Sequence, residues 1–239
     1  MAYYKENALV ENQPGIVPEK QKVILPYQYR EDEHYYIENL GQVKSKPIYA
    51  FLKRAFDIVF SLIALLVTAI PMAIVAIIIK CTSKGPVFFK QERLGLNGKQ
   101  FMLVKFRTMN IDAEKNGARW SSGDTDDRIY PFGSVLRKTR LDELPQFFLI
   151  LRGHMTFVGP RPERECFYDA FEEHVHGFRE RLKVKQGLTG LAQVSGGYDL
   201  RPEEKAVYDV EYIKKRSFGL DMKILWRTVS VIIKRSGAK

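Results

Sequence analysis

Cysteine is scarce in this 239-residue chain: Cys81 and Cys166 are the only two, and neither sits in a metal-binding spacing. That excludes a thiolate-zinc module and a disulfide-stapled secreted domain, and it fits a reducing compartment. There is no internal repeat, and no secretory signal is expected at the N-terminus. No nucleic-acid-binding module is recognisable. Aromatic residues do not interleave with a basic groove pattern, so nucleic acid is not the expected partner despite the charge. The absence with the largest consequence is of charge itself: residues 58–79 contain no Asp, Glu, Lys or Arg.

A straight helix over those 22 residues would reach about 33 Å, enough to cross a bilayer core. Two details complicate a single span. Pro71 lies inside the run and removes a helical hydrogen bond, which predicts a break or kink. The flanks are basic on both sides, with Lys53 and Arg54 before and Lys80 and Lys84 after. Cytoplasmic flanks collect Lys and Arg, so symmetric basic flanks suggest that both ends stay on one face. A helix that enters, breaks near Ile70-Pro71 and returns satisfies both details; a kinked span stays open beside it. Carbonyls freed at a break need partners, and Ser61 and Thr68 are candidates.

Elsewhere charge is plentiful and uneven. The net charge is +10, yet residues 1–46 carry 6 Lys and Arg against 7 Asp and Glu. The remaining residues hold 32 of the 38 cations and 21 of the 28 acids, a net +11. So basic a portion suits an anionic partner: nucleic acid, phospholipid headgroups or a phosphorylated substrate. Residues 1–46, interrupted by Pro14, Pro18 and Pro26, read as a loosely ordered polar extension with two apolar clusters, Val23-Ile-Leu25 and Tyr35-Tyr-Ile37.

The chemistry is expected in Arg137-Lys-Thr-Arg-Leu-Asp-Glu-Leu-Pro-Gln146. Asp142 and Glu143 are adjacent carboxylates among Arg137, Lys138, Arg140 and Arg152. Leu144, Phe147, Phe148 and Leu151 follow at the spacing of one helix face, with Pro145 in the first turn. That places both acids at or just before a helix N-terminus, where the macrodipole favours their ionised forms. An ionised Asp is a nucleophile, and a neighbouring Glu can hold a divalent cation. Plain helix capping by Thr139 or Asp142 is the competing reading.

Residues 87–91 and 100–106 read as strands of a hairpin turning at Gly95-Leu-Asn-Gly98. It ends in Lys105-Phe-Arg-Thr-Met109, where Lys105 and Arg107, two apart on a strand, would share a face and hold a diphosphate; a solvated pair is the alternative. Residues 110–133 read as a surface loop with a short helix at its start. Gly159-Pro-Arg-Pro162 is a rigid extended turn that would fix the Arg161 guanidinium for two-point phosphate contact. Gln186-Gly-Leu-Thr-Gly-Leu-Ala-Gln193 offers glycines, the Thr189 hydroxyl and Gln193, with backbone amides able to cradle an anion. The stretch from Leu220 to Arg235 places Leu220, Ile224, Leu225, Val229 and Ile232 on one side, among cations and Trp226. It reads as a basic amphipathic helix on a membrane surface, or as a core-packed helix.

Taken in order, several motifs form one set. They are Lys53-Arg-Ala-Phe-Asp57, the Pro71-interrupted run, Gly85-Pro-Val-Phe-Phe89, Gln91-Glu-Arg-Leu-Gly95 and Lys105-Phe-Arg-Thr-Met109. Leu141-Asp-Glu-Leu-Pro-Gln146, Val158-Gly-Pro-Arg-Pro162 and Gly187-Leu-Thr-Gly-Leu-Ala-Gln-Val194 complete it. Over about residues 47–235 the chain resembles the bacterial sugar transferase family, the monotopic polyprenyl-phosphate phosphoglycosyl transferases. The resemblance implies a mainly α fold with a small β-hairpin (α+β), a Pro-broken re-entrant membrane helix over 47–84, interfacial amphipathic helices, and a catalytic domain over 85–239 on the cytoplasmic side of the inner membrane. It implies transfer of a sugar 1-phosphate from a UDP-sugar to undecaprenyl phosphate with release of UMP, the first membrane step of exopolysaccharide, capsule or glycoconjugate synthesis. By the same resemblance Asp142 is the nucleophile, Glu143 supports Mg²⁺, and Lys105, Arg137 and Arg161 serve the site or its phosphates. Larger relatives carry membrane helices and a further domain before this unit, so the chain resembles the minimal form. It departs from many members at Ser195-Gly-Gly-Tyr-Asp199, where an arginine is missing. Galactose and glucose are the sugars expected by family frequency, homo-oligomerisation is left open, and a non-catalytic membrane adaptor of a polysaccharide assembly complex is the alternative function.

Overall fold

In the computed structural model, residues 23–25, 28–115, 117–120 and 126–233 are described. Residues 1–22 of the expected extension, 121–125 of the expected loop, and Lys234 and Arg235 lie outside them. The elements run β1 (Val23–Ile24), β2 (Tyr35–Tyr36), α1 (Pro47–Thr82), β3 (Phe88–Leu94), β4 (Gln100–Phe106), β5 (Ala118–Arg119), α2 (Pro131–Thr139) and α3 (Gln146–Arg152). They continue with β6 (Thr156–Val158), α4 (Glu165–Glu172), β7 (Val175–His176), β8 (Gly187–Thr189), α5 (Leu191–Ser195), α6 (Pro202–Lys215) and α7 (Phe218–Ile233).

The hairpin forms as expected in place, with β3 and β4 antiparallel in register from Phe88↔Phe106 to Leu94↔Gln100. Its turn holds Asn97 at φ 55°, a left-handed conformation that Asn tolerates. Three shorter pairings, all parallel, join distant segments: β1 with β5, β2 with β7, and β6 with β8. The first two correct the picture of a loose extension. Val23-Ile-Leu25 packs on a core built from Phe167, Tyr168, Phe171 and Phe178. Tyr35 and Ile37 donate backbone N–H groups to His174 and His176. The expected short helix at the start of residues 110–133 is a run of turns instead.

α1 is helical without interruption through Pro71, so the expected break is not in the backbone. Both ends of the helix nevertheless dock onto the same globular body. Near its start, Lys53 donates to the Val158 carbonyl at 2.8 Å and to Asp221 at 2.6 Å. Arg54 donates to the last carbonyls of α3, Ile150 and Leu151, the orphan acceptors of a helix end. Asp57 accepts from the Phe157 N–H and the Thr156 hydroxyl. Lys53 and Arg54, read from sequence only as a basic flank, are thus internal fasteners. Near the far end, Val75 and Ile79 are buried in a cluster with Phe106 and Leu136. Between the two ends Leu66, Val67 and Ile70 are 69–81% exposed. Ser61 and Thr68 donate to the carbonyls four residues earlier, Asp57 and Ala64, which supplies no new partner to Pro71's turn.

α7 combines its two readings. Asp221 and Ile224 face the core, while Trp226, Val229 and Ile232 face outward with Lys223 and Arg227. In α3 the buried positions are Gln146, Leu149 and Ile150; Phe148 is exposed, so the apolar face is rotated from the one its spacing suggested. Seven residues make two turns, and contact with α1 on one side and the hairpin on the other decides the orientation.

Behind the hairpin, the pairing of β6 with β8 brings two glycine-rich turns into backbone contact. The Gly159 N–H donates to the Thr189 carbonyl and the Gly187 N–H to the Pro160 carbonyl. A side chain on Gly187 would lie 2.1 Å from the Gly159 nitrogen, and one on Gly190 2.2 Å from the Gly159 oxygen. These glycines permit close approach, not the anion cradle expected of them. Gly187→Ala should therefore cost stability near the top of the about 1–3 kcal/mol range for overpacking. Thermal unfolding in detergent reads this; an unchanged midpoint would show that the crossing has slack.

Candidate active site

Leu141–Glu143 is a single 3₁₀ turn between α2 and α3. Arg140, at φ 59° and ψ 14°, ends α2 and starts this turn in a left-handed conformation uncommon for a non-glycine residue. The reversal brings the two acids beneath the hairpin. α3 begins only at Gln146, so the carboxylates do not cap its N-terminus directly.

The two acids sit in contrasting surroundings. Asp142 is buried, and its Oδ1 has no hydrogen-bond partner. Burial, then the charge of Glu143, push its carboxyl well above the usual carboxylate range, against the pull of Lys105, Arg137 and Arg140. Glu143 is also penalised by burial, but Arg161 and Arg140 outweigh that and hold it below its ordinary value. Arg161 donates to Glu143 Oε1 at 2.7 Å. The pair is asymmetric: the Asp142 carboxyl is raised to about 6, while Glu143 is held below its ordinary value by Arg161 and Arg140 rather than by a helix dipole.

Beside them opens a cleft whose walls include their neighbours Arg140 and Gln146 but neither carboxylate; from the hairpin it is lined by Phe89, Gln91, Arg93, Leu103 and Lys105, the residues of one face of β3 and β4 at period two. Arg137, Arg140, Gln146, Arg161 and Gln193 contribute from the α2–α3 turn and the two glycine turns. Arg119, Arg128, Arg164 and Lys205 line it as well, against the acids Glu114 and Glu163. Lys105 lies 5.4 Å from the centroid of the Phe89 ring. Gln193 donates to the Leu188 carbonyl at 3.4 Å, and its Oε1 is buried without a partner.

Two residues proposed from sequence lie elsewhere. Arg107 follows β4 rather than sitting in it, so it does not share the Lys105 face. It donates to the Pro86 carbonyl and to the side chain and carbonyl of Ser83, clamping the exit from α1. Thr189 shares a hydrogen bond of 2.8 Å with Thr228 of α7, which turns its hydroxyl away from the cleft. Arg93, Arg128 and Arg164 were missed as lining residues. Arg93 was within reach, since it continues the alternation of Phe89 and Gln91; Arg128 and Arg164 come from loops whose position no spacing encodes.

Among the described residues no group of three or more His, Cys, Asp or Glu forms a protein cage for a metal ion. Two adjacent carboxylates fit the other mode, in which Mg²⁺ takes one or two protein carboxylates and completes its shell with substrate phosphates and water.

The fold and the site together define a class: a small α-rich body carrying one apolar helix long enough to cross a membrane, and a cationic cleft beside a carboxylate pair. The chain belongs to the bacterial sugar transferase family, whose model matches residues 48–235. It is 39% identical, over 87% of its length and 49% of the relative's, to the UDP-N-acetylgalactosamine-undecaprenyl-phosphate N-acetylgalactosaminephosphotransferase of Aeromonas hydrophila. It is 37% identical, over 82% of its length and 45% of the relative's, to the UDP-glucose:undecaprenyl-phosphate glucose-1-phosphate transferase of Escherichia coli K12. The chain thus spans less than half of these two relatives. It covers 93% of the exopolysaccharide production protein PSS of Rhizobium leguminosarum, at 41% identity.

The raised Asp142 carboxyl has a consequence for stability. The folded protein binds that proton more tightly than the unfolded chain does, so ionising it costs stability as pH rises. The cost is absent below the ordinary carboxylate range and complete above the raised value. Asp142→Asn removes it, so the Asn protein should gain on the wild type as pH rises from about 4 to about 6. Parallel unfolding midpoints across that range would contradict the assignment.

Proposed function

We propose that the chain is a phosphoglycosyl transferase that moves a sugar 1-phosphate from a UDP-sugar to undecaprenyl phosphate through a phosphosugar on Asp142. The observation that carries this reading is the Asp142 oxygen, buried, without a hydrogen-bond partner, and under the influence of three cations that line the cleft. The relatives' names, which pair UDP-sugars with undecaprenyl phosphate, support the substrate classes.

In the first step an Asp142 oxygen attacks the phosphorus that bears the sugar. The bond from that phosphorus to the oxygen of UMP breaks, and UMP leaves with the electron pair. In the second step an oxygen of undecaprenyl phosphate attacks the same phosphorus, the acyl-phosphate bond breaks, and the Asp142 carboxylate is restored. Splitting the transfer means that donor and acceptor, both anionic, never share the cleft. Lys105, Arg137 and Arg140 draw the Asp142 carboxyl towards its charged form and are placed to hold the diphosphate. Arg161 neutralises Glu143 and presents a planar fork suited to phosphate oxygens. Glu143 is the group to hold Mg²⁺, which supplies charge neutralisation for phosphoryl transfer when bound.

The apolar helix supplies access to the lipid acceptor. A single span would separate its ends by about 30 Å of hydrocarbon, yet both ends of α1 dock on one body. That favours a helix that dips into the membrane and returns over a single span, although the helical backbone is unbroken at Pro71. The outward Trp226, Val229 and Ile232 of α7 suit an interface. The catalytic face is then cytoplasmic, on the inner membrane, and the product enters exopolysaccharide, capsule or glycoconjugate synthesis.

UMP release from a panel of UDP-sugars with undecaprenyl phosphate and Mg²⁺ tests the reading. Arg161→Lys keeps the charge but not the fork and should lower kcat/KM by about 1.5–3 kcal/mol. Lys223→Arg, on the exposed face of α7, should leave the rate nearly unchanged. Equal rates for the two variants would remove Arg161 from the site. Chelation of Mg²⁺ should stop release, and activity that survives chelation would remove the metal from the mechanism.

A further inference from the structure

Arg161 depends on the backbone that carries it, and three carbonyls of that backbone accept from buried or part-buried side chains. Val158 accepts from Lys53 and Tyr212, Arg161 from Arg181 at 3.2 Å, and Pro162 from Arg93 at 3.3 Å. Both arginines are neutralised by carboxylates: Arg181 by Asp209 at 2.6 Å, and Arg93 by Glu163 at 2.9 Å. The Arg181–Asp209 pair is the more extreme, with both side chains only 1% exposed. Its guanidinium lies 4.6 Å from the centroid of the Phe178 ring.

Such a pair is a poor investment in stability alone, since well-packed apolar residues of similar volume often do as well or better. Its distinguishing feature is where the second donor goes. Arg181 Nε donates to Asp209 Oδ2, and its Nη2 donates to the carbonyl of the residue whose side chain grips Glu143. Pro160 and Pro162 already restrict the torsions around Arg161. What remains is movement of the whole turn, and a rigid charge-assisted donor on its carbonyl opposes that movement.

We propose that Arg181, oriented by Asp209, is a positioning residue that sets the pose of Arg161 against Glu143. The claim rests on the function proposed above for its kinetic readout, but not for its structural one. Arg181 lies at the cleft wall, but its side chain is only 1% exposed, so its effect is assigned through Arg161.

Arg181→Lys keeps the charge and an ion pair with Asp209, but an ammonium cannot hold the carboxylate and the carbonyl in one plane. Kinetics come first. A displacement of the Arg161 fork by about 1 Å is expected to lower kcat/KM on the order of 100-fold. In an Arg161→Ala background the same change should cost less than about 2-fold, because the group it positions is gone. Loss of unfolding temperature, by contrast, should be the same in both backgrounds. An equal kinetic loss in both backgrounds would overturn the proposal and mark Arg181 as a direct substrate contact or a general stabiliser.

The second readout needs no activity. At fixed pH, the nitrogen-15 signal of the Arg161 guanidinium, assigned by its loss in Arg161→Ala, should shift and exchange faster with water in Arg181→Lys. An Arg161 signal unaffected by Arg181→Lys would also overturn the proposal. If wild-type protein releases no UMP from any UDP-sugar, the functional reading fails, while this spectrum still decides the positioning. Asp209→Asn, which keeps shape but loosens Arg181, serves both readouts if the lysine variant does not fold.

Discussion

The crossing of two backbones at Gly159, Gly187 and Gly190 is the constraint on which the rest of the site depends. With side chains excluded, β6 and β8 approach closely enough for Gly159 and Gly187 to exchange hydrogen bonds with the opposite turn. Arg161 emerges from this crossing towards Glu143. The strand that leads into it is gripped by the apolar helix, through Lys53 on the Val158 carbonyl and Asp57 on the Phe157 N–H. One short stretch of chain therefore joins the membrane-facing element to the charged residues of the cleft. Few conformers of that stretch satisfy both attachments, which lowers the cost of ordering Arg161 when an anion binds.

The acid pair shows how neighbours in sequence acquire opposite electrostatic characters. Asp142 and Glu143 occupy one 3₁₀ turn; Glu143 receives the Arg161 guanidinium, while Oδ1 of Asp142 is buried without a partner. Glu143 is held charged, and its charge raises Asp142 further. Burial makes a second charge beside Glu143 costly, and Lys105, Arg137 and Arg140 offset part of that cost.

Much of this was legible in the sequence, where a local pattern carries the information. The hairpin followed from period-two alternation and an Asn-Gly turn, the apolar helix from its lack of charge, and the acid pair from its cationic neighbours. What failed did so where tertiary contacts decide. Arg107 is one residue past the end of β4, and a strand-end shift of that size sends a side chain to another surface. Thr189 carries the polarity of a binding residue but spends it on Thr228. The glycine turns looked like anion cradles, and their real partner is each other. The N-terminal clusters gave no sign of what they dock on, because parallel two-residue pairings with Ala118 and Val175 leave no periodic trace. Pro71 predicted a break by removing one hydrogen bond, while the helical backbone persists around it.

The central claim, that Asp142 takes the phosphosugar, is tested most directly by mass. Protein incubated with UDP-sugar and Mg²⁺, without undecaprenyl phosphate, is quenched in acid and its intact mass measured, followed by mapping of the peptide that contains residues 141–152. The account predicts a gain equal to one phosphosugar, located on Asp142, matched by an equal amount of UMP and erased on adding undecaprenyl phosphate. UMP formed only when donor and lipid are present together, with no mass gain at any time, would contradict it and require a direct transfer between the two substrates.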